Sequence, residues 1–336
     1  MNYGIVGTGY WGKNHVRVAS ELAADGVLDD VVVCDVDRER AVELAERFDL
    51  DYCTDYRDVD VDAASLATPS TTHEQIATDL LASGTDLLVE KPLALDADAA
   101  WNIVETAEEY DRTLGVGHIF RYHPALTELK QWIDDGKLGE IKYLHTARFA
   151  FEVPRETTGV LYSLAVHDVD IYNYLLDRQP TRVYCNRDSH LRDGIDETAT
   201  VELEYGDTRG VIHSSWQIPV FGKRRDLAVI GTDAAAYVDY PSDTEIELYE
   251  TSVADLGDGQ LELRNDGPTV HEMPEREPLK AEIQSFIDAT AANRDPLASG
   301  TIGAQTVEIL ERAKHSDESD EVLSLSPTNS LTTRTS

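Results

Sequence analysis

Three stretches of this 336-residue chain carry residue types that could do chemistry. In the first, Asp86-Leu87-Leu88-Val89-Glu90-Lys91-Pro92-Leu93, an apolar run of strand type ends in a charged pair and a proline. Proline lacks an amide donor and biases Lys91 away from helix, so a strand stops here with a lysine at its end. In open parallel α/β sheets, ligands bind beyond the carboxyl ends of the strands. A lysine held there is a candidate acid, base or hydrogen-bond donor; a surface lysine after a buried strand is the plainer alternative. The second stretch is Gly7-Thr8-Gly9-Tyr10-Trp11-Gly12. The third is His167-Asp168-Val169-Asp170.

The elements around these stretches decide what they mean. Residues 2–6 read as a short buried strand that runs directly into Gly7. A helix follows from about Lys13 to Ala24, then a strand at Val31–Cys34 that ends in Asp35. That setting turns GxGxxG from a weak signal into a stronger one. Gly7 permits the tight turn, Gly9 lets the backbone approach a pyrophosphate, and Gly12 lets helix and strand pack closely. The helix N-terminus offers amide donors to the phosphates. Asp35 sits where a carboxylate accepts from both ribose hydroxyls, which favours NAD; Arg38 and Arg40 nearby leave NADP open.

Strands and helices go on alternating. Ala64–Thr68 is a strand ending in Pro69, His73–Ser83 is helical with Gly84 as its stop, and Asp96 caps a helix to Tyr110. Leu114–Ile119 is a further strand. This pattern predicts α/β architecture, a doubly wound parallel sheet, and places Lys91 in a nucleotide-binding domain. After Ile119 the grammar changes. A helix at Pro124–Asp135 and a long strand at Ile141–Phe151 lead to a helix at Ile171–Leu176. From about Thr181 to Glu250 strands follow one another without helices, which predicts a large, mostly antiparallel sheet in an α+β domain. Two helices, about Lys280–Ala292 and Ser299–Lys314, close it. The predicted limits are 1–120, 121–315 and a flexible polar tail at 316–336.

Bulk composition bounds the rest. No apolar run approaches a membrane span, and no basic leader precedes Tyr3-Gly4-Ile5-Val6, so a cytoplasmic protein is expected. Cys34, Cys53 and Cys185 are far apart with no CxxC, which argues against disulfides or structural zinc. The net charge is −35, with only eight lysines against 64 Asp plus Glu. The acid is spread along the chain rather than gathered in a tail. That pattern excludes nucleic acid and anionic membranes as partners and suggests a halophile's surface.

The order and spacing of Gly7-x-Gly9-x-x-Gly12-x-Asn14-His15, Ala67-Thr68-Pro69 with His73, Glu90-Lys91-Pro92, and His167-x-x-Asp170 resemble the Gfo/Idh/MocA family of NAD(P)-dependent oxidoreductases, over roughly residues 1–315. The resemblance implies an N-terminal Rossmann domain and a second domain whose open sheet forms homodimer or homotetramer contacts. It implies cofactor contacts from Gly7, Gly9, Tyr10, Trp11, Gly12, Asp35, Thr68, Pro69, His73, Glu90 and Lys91. It also implies that Lys91 and His167 meet at the nicotinamide. The residue types suit oxidation of a secondary alcohol: imidazole takes the hydroxyl proton, and the lysine hydrogen-bonds the same oxygen. Asp170, one helical turn on, would fix the imidazole or hold a substrate hydroxyl. A zinc site from His167, Asp168 and Asp170 is the lesser alternative, and no metal is expected.

Many family members carry an aspartate four residues before the histidine; here Ser163 stands in its place, as a substrate contact or a helix N-cap. The stretches Gly117–Ala125 and Leu161–Asp168 are similar to the branch acting at C3 of UDP-N-acetylhexosaminuronic acids. By that likeness His118, Arg121 and Tyr122 contact the substrate. Arg155 is a further candidate for a carboxylate or diphosphate. Lys223-Arg224-Arg225, the only basic run, reads as a solvated turn, with pairing to an anionic substrate or a neighbouring subunit as the alternatives. The expected function is oxidation of a ring hydroxyl of a sugar or sugar nucleotide. A free-sugar or inositol dehydrogenase and a non-catalytic NAD sensor are the alternatives.

Overall fold

The computed structural model describes residues 1–240, 244–250, 252–264 and 267–325, the side chains at 252–255 and 263–264 excepted. The chain forms two compact units. No helix among the described residues is long and apolar enough to cross a membrane.

The first unit runs from Met1 to Ile119 and takes in 277–308. It opens with β1 (Tyr3–Val6), α1 (Gly12–Ala24), β2 (Val31–Cys34), α2 (Arg38–Phe48) and β3 (Asp51–Cys53). It continues with β4 (Ala63–Leu66), α3 (His73–Ala82), β5 (Asp86–Val89), α4 (Ala97–Glu109) and β6 (Leu114–Val116). The six strands lie in the order β3-β2-β1-β4-β5-β6, all pairs parallel. Residues of β1 and β4 are buried throughout, as expected of strands covered on both faces. In α1 the buried residues Val16, Ala19 and Leu22 recur at helical spacing and face the sheet. Asp37 caps α2 through the amides of Glu39 and Arg40, and Asp96 caps α4 through that of Ala99. The order reverses between β1 and β4, the place where such sheets bind dinucleotides. The predicted strand at 114–119 is shorter: it ends at Val116, whose amide donates to the Ala298 carbonyl.

The second unit begins at Phe120. It holds α5 (Pro124–Asp134), β7 (Ile141–Ala150), α6 (Val166–Leu176), β8 (Arg182–Asp188), β9 (Thr198–Tyr205), β10 (Thr208–Ser215) and β11 (Lys223–Gly231). It continues through β12 (Ala235–Asp239), β13 (Glu245–Tyr249), β14 (Ser252–Gly257), β15 (Gln260–Arg264) and β16 (Thr269–Glu272). The chain then leaves for α7 (Pro278–Ala291), and α8 (Gly300–Ser319) leads to β17 (Leu323–Ser324). A nine-stranded sheet runs β16-β13-β12-β11-β7-β10-β9-β8-β17, antiparallel except for the β7–β10 pair. Its core joins Leu126 and Leu129 of α5, Val169 and Tyr172 of α6, and the inward residues Leu144, Val201, Leu203 and Ile212.

Three expectations need correcting. The limit at 315 fails, because Leu279, Ile283 and Phe286 of α7 pack with Val16 and Leu22 of α1 in the first unit. The polar composition of 316–325 does not make a tail. Ser316 is fully buried, its hydroxyl accepting from the Cys185 amide at 3.1 Å, and Asp317 binds Arg187, so polar side chains here satisfy β8 beside the two-residue edge strand β17. The rest of the expected tail, 326–336, lies outside the described residues. Lys223-Arg224-Arg225 starts β11 rather than a turn; Lys223 pairs with Glu152 at 3.1 Å and Arg224 with Asp226 at 2.5 Å. Cys34 and Cys53, distant in sequence, are register partners across β2 and β3, with free thiols.

Candidate functional site

The glycine turn has the shape its spacing requires. Gly7 has φ +90°, and a Cβ there would lie 2.7 Å from the Thr68 amide nitrogen. A Cβ at Gly12 would come within 2.0 Å of the Gly7 carbonyl oxygen, whereas one at Gly9 would meet nothing within 4 Å. The turn is therefore closed on itself at its two ends and open at Gly9, the shape a pyrophosphate needs. The first turn of α1 holds no acid, so its amides meet no competing carboxylate. Asp35, at the end of β2, is buried. Its carboxylate accepts from the Thr8 amide (2.8 Å) and hydroxyl (2.7 Å), the Asp37 amide (2.9 Å) and Arg40 (3.2 Å). Burial pushes this carboxyl up, but the amides, the hydroxyl and Arg40 outweigh it and hold it below its ordinary value. A charged, fixed acceptor at this point suits a ribose diol. The residues present fit NAD, which when bound supplies a hydride acceptor.

Around that turn the other expected cofactor residues divide. Tyr10 is exposed and Trp11 is partly so, with Lys13 stacked over the Tyr10 ring. Thr68 is half-buried and Pro69 is exposed. His73 is not open to a cofactor. It is 1% exposed, with Nδ1 3.0 Å from the Pro92 carbonyl and Nε2 2.9 Å from the Thr68 carbonyl. It braces the loop after β4 against the segment that carries Lys91, and burial pushes its imidazole below its ordinary value. Glu90 turns inward, onto His15. Lys91 stands half-buried at the carboxyl end of β5, and His118 is buried near the end of the same unit.

In the second unit a turn of π-helix, Leu161–Ala165, runs without a break into α6. Such turns are frequent at functional sites. Ser163 lies inside it, buried, its hydroxyl 3.0 Å from that of Thr158, so it is not the helix N-cap. His167 follows at the start of α6, half-buried, its ring edge-on to Phe120 at 4.9 Å. Asp170 is 1% exposed and is gripped by Arg121. Nε donates to its two oxygens at 2.9 and 3.1 Å, and Nη2 donates at 2.7 Å. Arg121 also lies over the Tyr174 ring at 5.1 Å. The expected orienting residue Asp170 and the expected substrate contact Arg121 are thus paired with each other. Tyr122 is buried and Arg155 is exposed.

Sequence reasoning missed a second ion pair beside the first. Arg148 of β7, 2% exposed, donates Nε to both oxygens of Asp168 at 2.8 and 2.7 Å. Its guanidinium lies 4.5 Å from the Phe120 ring centre and 5.2 Å from that of Tyr240. Phe120 thus touches both His167 and Arg148. One signal was available: alternation along β7 puts Arg148 on the same face as buried Leu144 and Thr146, and a lone arginine on an inward face demands a carboxylate.

The chain matches the model of an oxidoreductase family with an NAD-binding Rossmann fold over residues 1–118. It matches the Gfo/Idh/MocA C-terminal domain over 126–237. It is 29% identical over 317 residues to a UDP-N-acetylglucosamine 3-dehydrogenase of Acidithiobacillus ferrooxidans, covering 91% of this chain and 94% of that protein. The solved structure of that enzyme superposes with a TM-score of 0.81 at 26% identity over 95% of this chain and 98% of the other. An inositol 2-dehydrogenase of Rhodococcus erythropolis is 33% identical over 56% of each chain. A levoglucosan dehydrogenase solved with NADH shares the fold, with a TM-score of 0.82 at 18% identity over 96% of this chain and 98% of the other. Two matched domains, the open glycine turn and the fixed Asp35 carboxylate agree: the chain belongs to the Gfo/Idh/MocA family of NAD-binding oxidoreductases.

Proposed function

We propose that this oxidoreductase oxidises a ring hydroxyl of a sugar nucleotide, C3 of a UDP-N-acetylhexosamine or its uronate, and passes the hydride to NAD. The observation that carries the reading is the end-to-end likeness to a UDP-N-acetylglucosamine 3-dehydrogenase. In this reading Lys91 donates a hydrogen bond to the reacting oxygen. His167 takes the hydroxyl proton as the C–H electron pair leaves with the hydride. Asp170, held by Arg121, fixes the first turn of α6 beneath His167 rather than binding substrate. His118, Tyr122, Ser163 and exposed Arg155 remain substrate contacts in the proposal.

The inositol dehydrogenases among the relatives favour a second reading, a free polyol as substrate. NADH formation with UDP-N-acetylglucosamine, its uronate and myo-inositol separates the two. We expect reduction of NAD with a UDP-sugar; faster reduction with the polyol overturns the proposal. NAD binding with no reduction by any of them supports a sensor instead. Mass spectrometry of the natively purified protein tests for carried-over cofactor and sugar nucleotide. A cytoplasmic homodimer or homotetramer formed through the nine-stranded sheet belongs to the same proposal, and light scattering measures the subunit count.

The charge of −35 leads to a proposal about salt. Self-repulsion on this scale falls as counter-ions shorten the screening length from about 10 Å at 0.1 M to about 3 Å at 1 M. A halophile's enzyme should therefore melt at a higher temperature in molar KCl than in dilute buffer. Equal midpoints in the two would rule that origin out.

A further inference from the structure

Behind Lys91 four side chains stand in line. The Tyr3 hydroxyl is 2.7 Å from Ser65 Oγ, which is 2.9 Å from His15 Nδ1. His15 Nε2 is 3.0 Å from Glu90 Oε1, and the other carboxylate oxygen of Glu90 accepts from the Lys91 amide at 3.1 Å. Tyr3, Ser65 and His15 are 0% exposed, and the Glu90 side chain is 12% exposed. They come from β1, β4, α1 and the end of β5, so folding of the whole unit assembles the line.

The chemistry fixes its direction. An ionised carboxylate only accepts, so His15 Nε2 carries the proton facing Glu90. Nδ1 of the neutral ring then accepts, and the Ser65 hydroxyl donates to it. The Ser65 oxygen in turn accepts from Tyr3. Every donor points toward Glu90. The far side of the carboxylate is also built to measure. A Cβ at Gly117 would lie 3.0 Å from the carboxylate carbon and from both oxygens. Glycine at 117 leaves the room the carboxylate occupies. Burial pushes the Glu90 carboxyl up, but the hydrogen bond from His15, the Lys91 charge and the Lys91 amide outweigh this and hold it below its ordinary value.

We propose that Tyr3, Ser65 and His15 are positioning residues, a one-way chain of donors that keeps Glu90 charged and clamped on the Lys91 amide. The chain fixes the backbone from which the Lys91 side chain departs. The inference rests on the role proposed for Lys91.

Its test reads Glu90 directly. With only eight lysines in the sequence, 15N-lysine labelling gives few amide signals, and Lys91→Ala identifies that of Lys91. In the wild-type protein this amide should show no titration step between about pH 5 and 8. In His15→Leu a step should appear in that window, because burial then outweighs the remaining partners and Glu90 takes up a proton. His15→Gln, which keeps an N–H donor for Glu90, should restore much of the flat trace. The acid limb of NADH formation should move with the amide midpoint, which a merely structural histidine would not cause. Should His15→Leu fail to fold, Ser65→Ala asks the same question by removing the donor to Nδ1. A step in the wild-type protein, or a flat trace in folded His15→Leu or Ser65→Ala, overturns the proposal. Absence of turnover with every substrate tried would count against the function proposed above and leave the amide titration readable.

Discussion

Lys91→Ala should lower kcat/KM for NADH formation by about a thousandfold, the range for losing a positioned donor to a reacting oxygen. NADH affinity, followed by fluorescence, should stay within a few-fold of wild type. The separation follows from where each function is held. The phosphate turn at Gly7–Gly12 is closed by its own backbone and by Thr68. The ribose acceptor Asp35 is fixed by Thr8, Asp37 and Arg40. Neither depends on the Lys91 side chain. The Glu90 clamp survives too, because it engages the backbone amide of residue 91 rather than its ammonium. Turnover near the wild-type rate in a variant that still binds NADH would remove Lys91 from the mechanism.

The first unit was legible because its signals are local. A glycine turn, an aspartate at a strand end and a proline after a lysine each act within a few residues, and β–α alternation fixes the sheet. The parallel sheet and the Asp35 carboxylate followed from those. What pairs with what did not. Arg121 and Asp170 are 49 positions apart, and nothing in either stretch says that they spend their charges on each other. His15 appeared as one letter of a motif, and its partners Ser65 and Glu90 arrive from other strands. Docking of α7 beside α1 was equally hidden, because an amphipathic helix declares that it has a buried face but not which surface covers it. The misread segment at 316–325 shows the same limit. Ser316 and Asp317 look like solvent-loving residues until β8 offers them amides and a guanidinium.

The pair most hidden in sequence has the largest expected effect on stability. Arg148→Ala should cost about 3–5 kcal/mol at neutral pH, because it leaves the buried Asp168 carboxyl without its partner, to be protonated or to stand uncompensated in the core. Acid should relieve that cost. Burial raises the Asp168 carboxyl to about 6, against the opposing pull of Arg148. Its ordinary value is 3.8, so the folded protein binds this proton more tightly than the unfolded chain does. The contribution to stability, about 3 kcal/mol, is then fully present below about pH 4 and lost as pH rises through 6. Two measurements follow, both by urea unfolding, with Trp132 and Trp216 as buried reporters in this unit. The penalty of Arg148→Ala should shrink between pH 7 and pH 4. Asp168→Asn, which cannot titrate, should lose the stability gained by wild type over the same interval. A penalty that stays constant with pH would mean that Asp168 is not the group left uncompensated. The consequence reaches the chemistry through one ring. Phe120 touches both the Arg148 guanidinium and the His167 imidazole. Removing the cation that packs on Phe120 loosens the ring against which His167 rests, so whatever Arg148→Ala protein remains folded should also turn over more slowly.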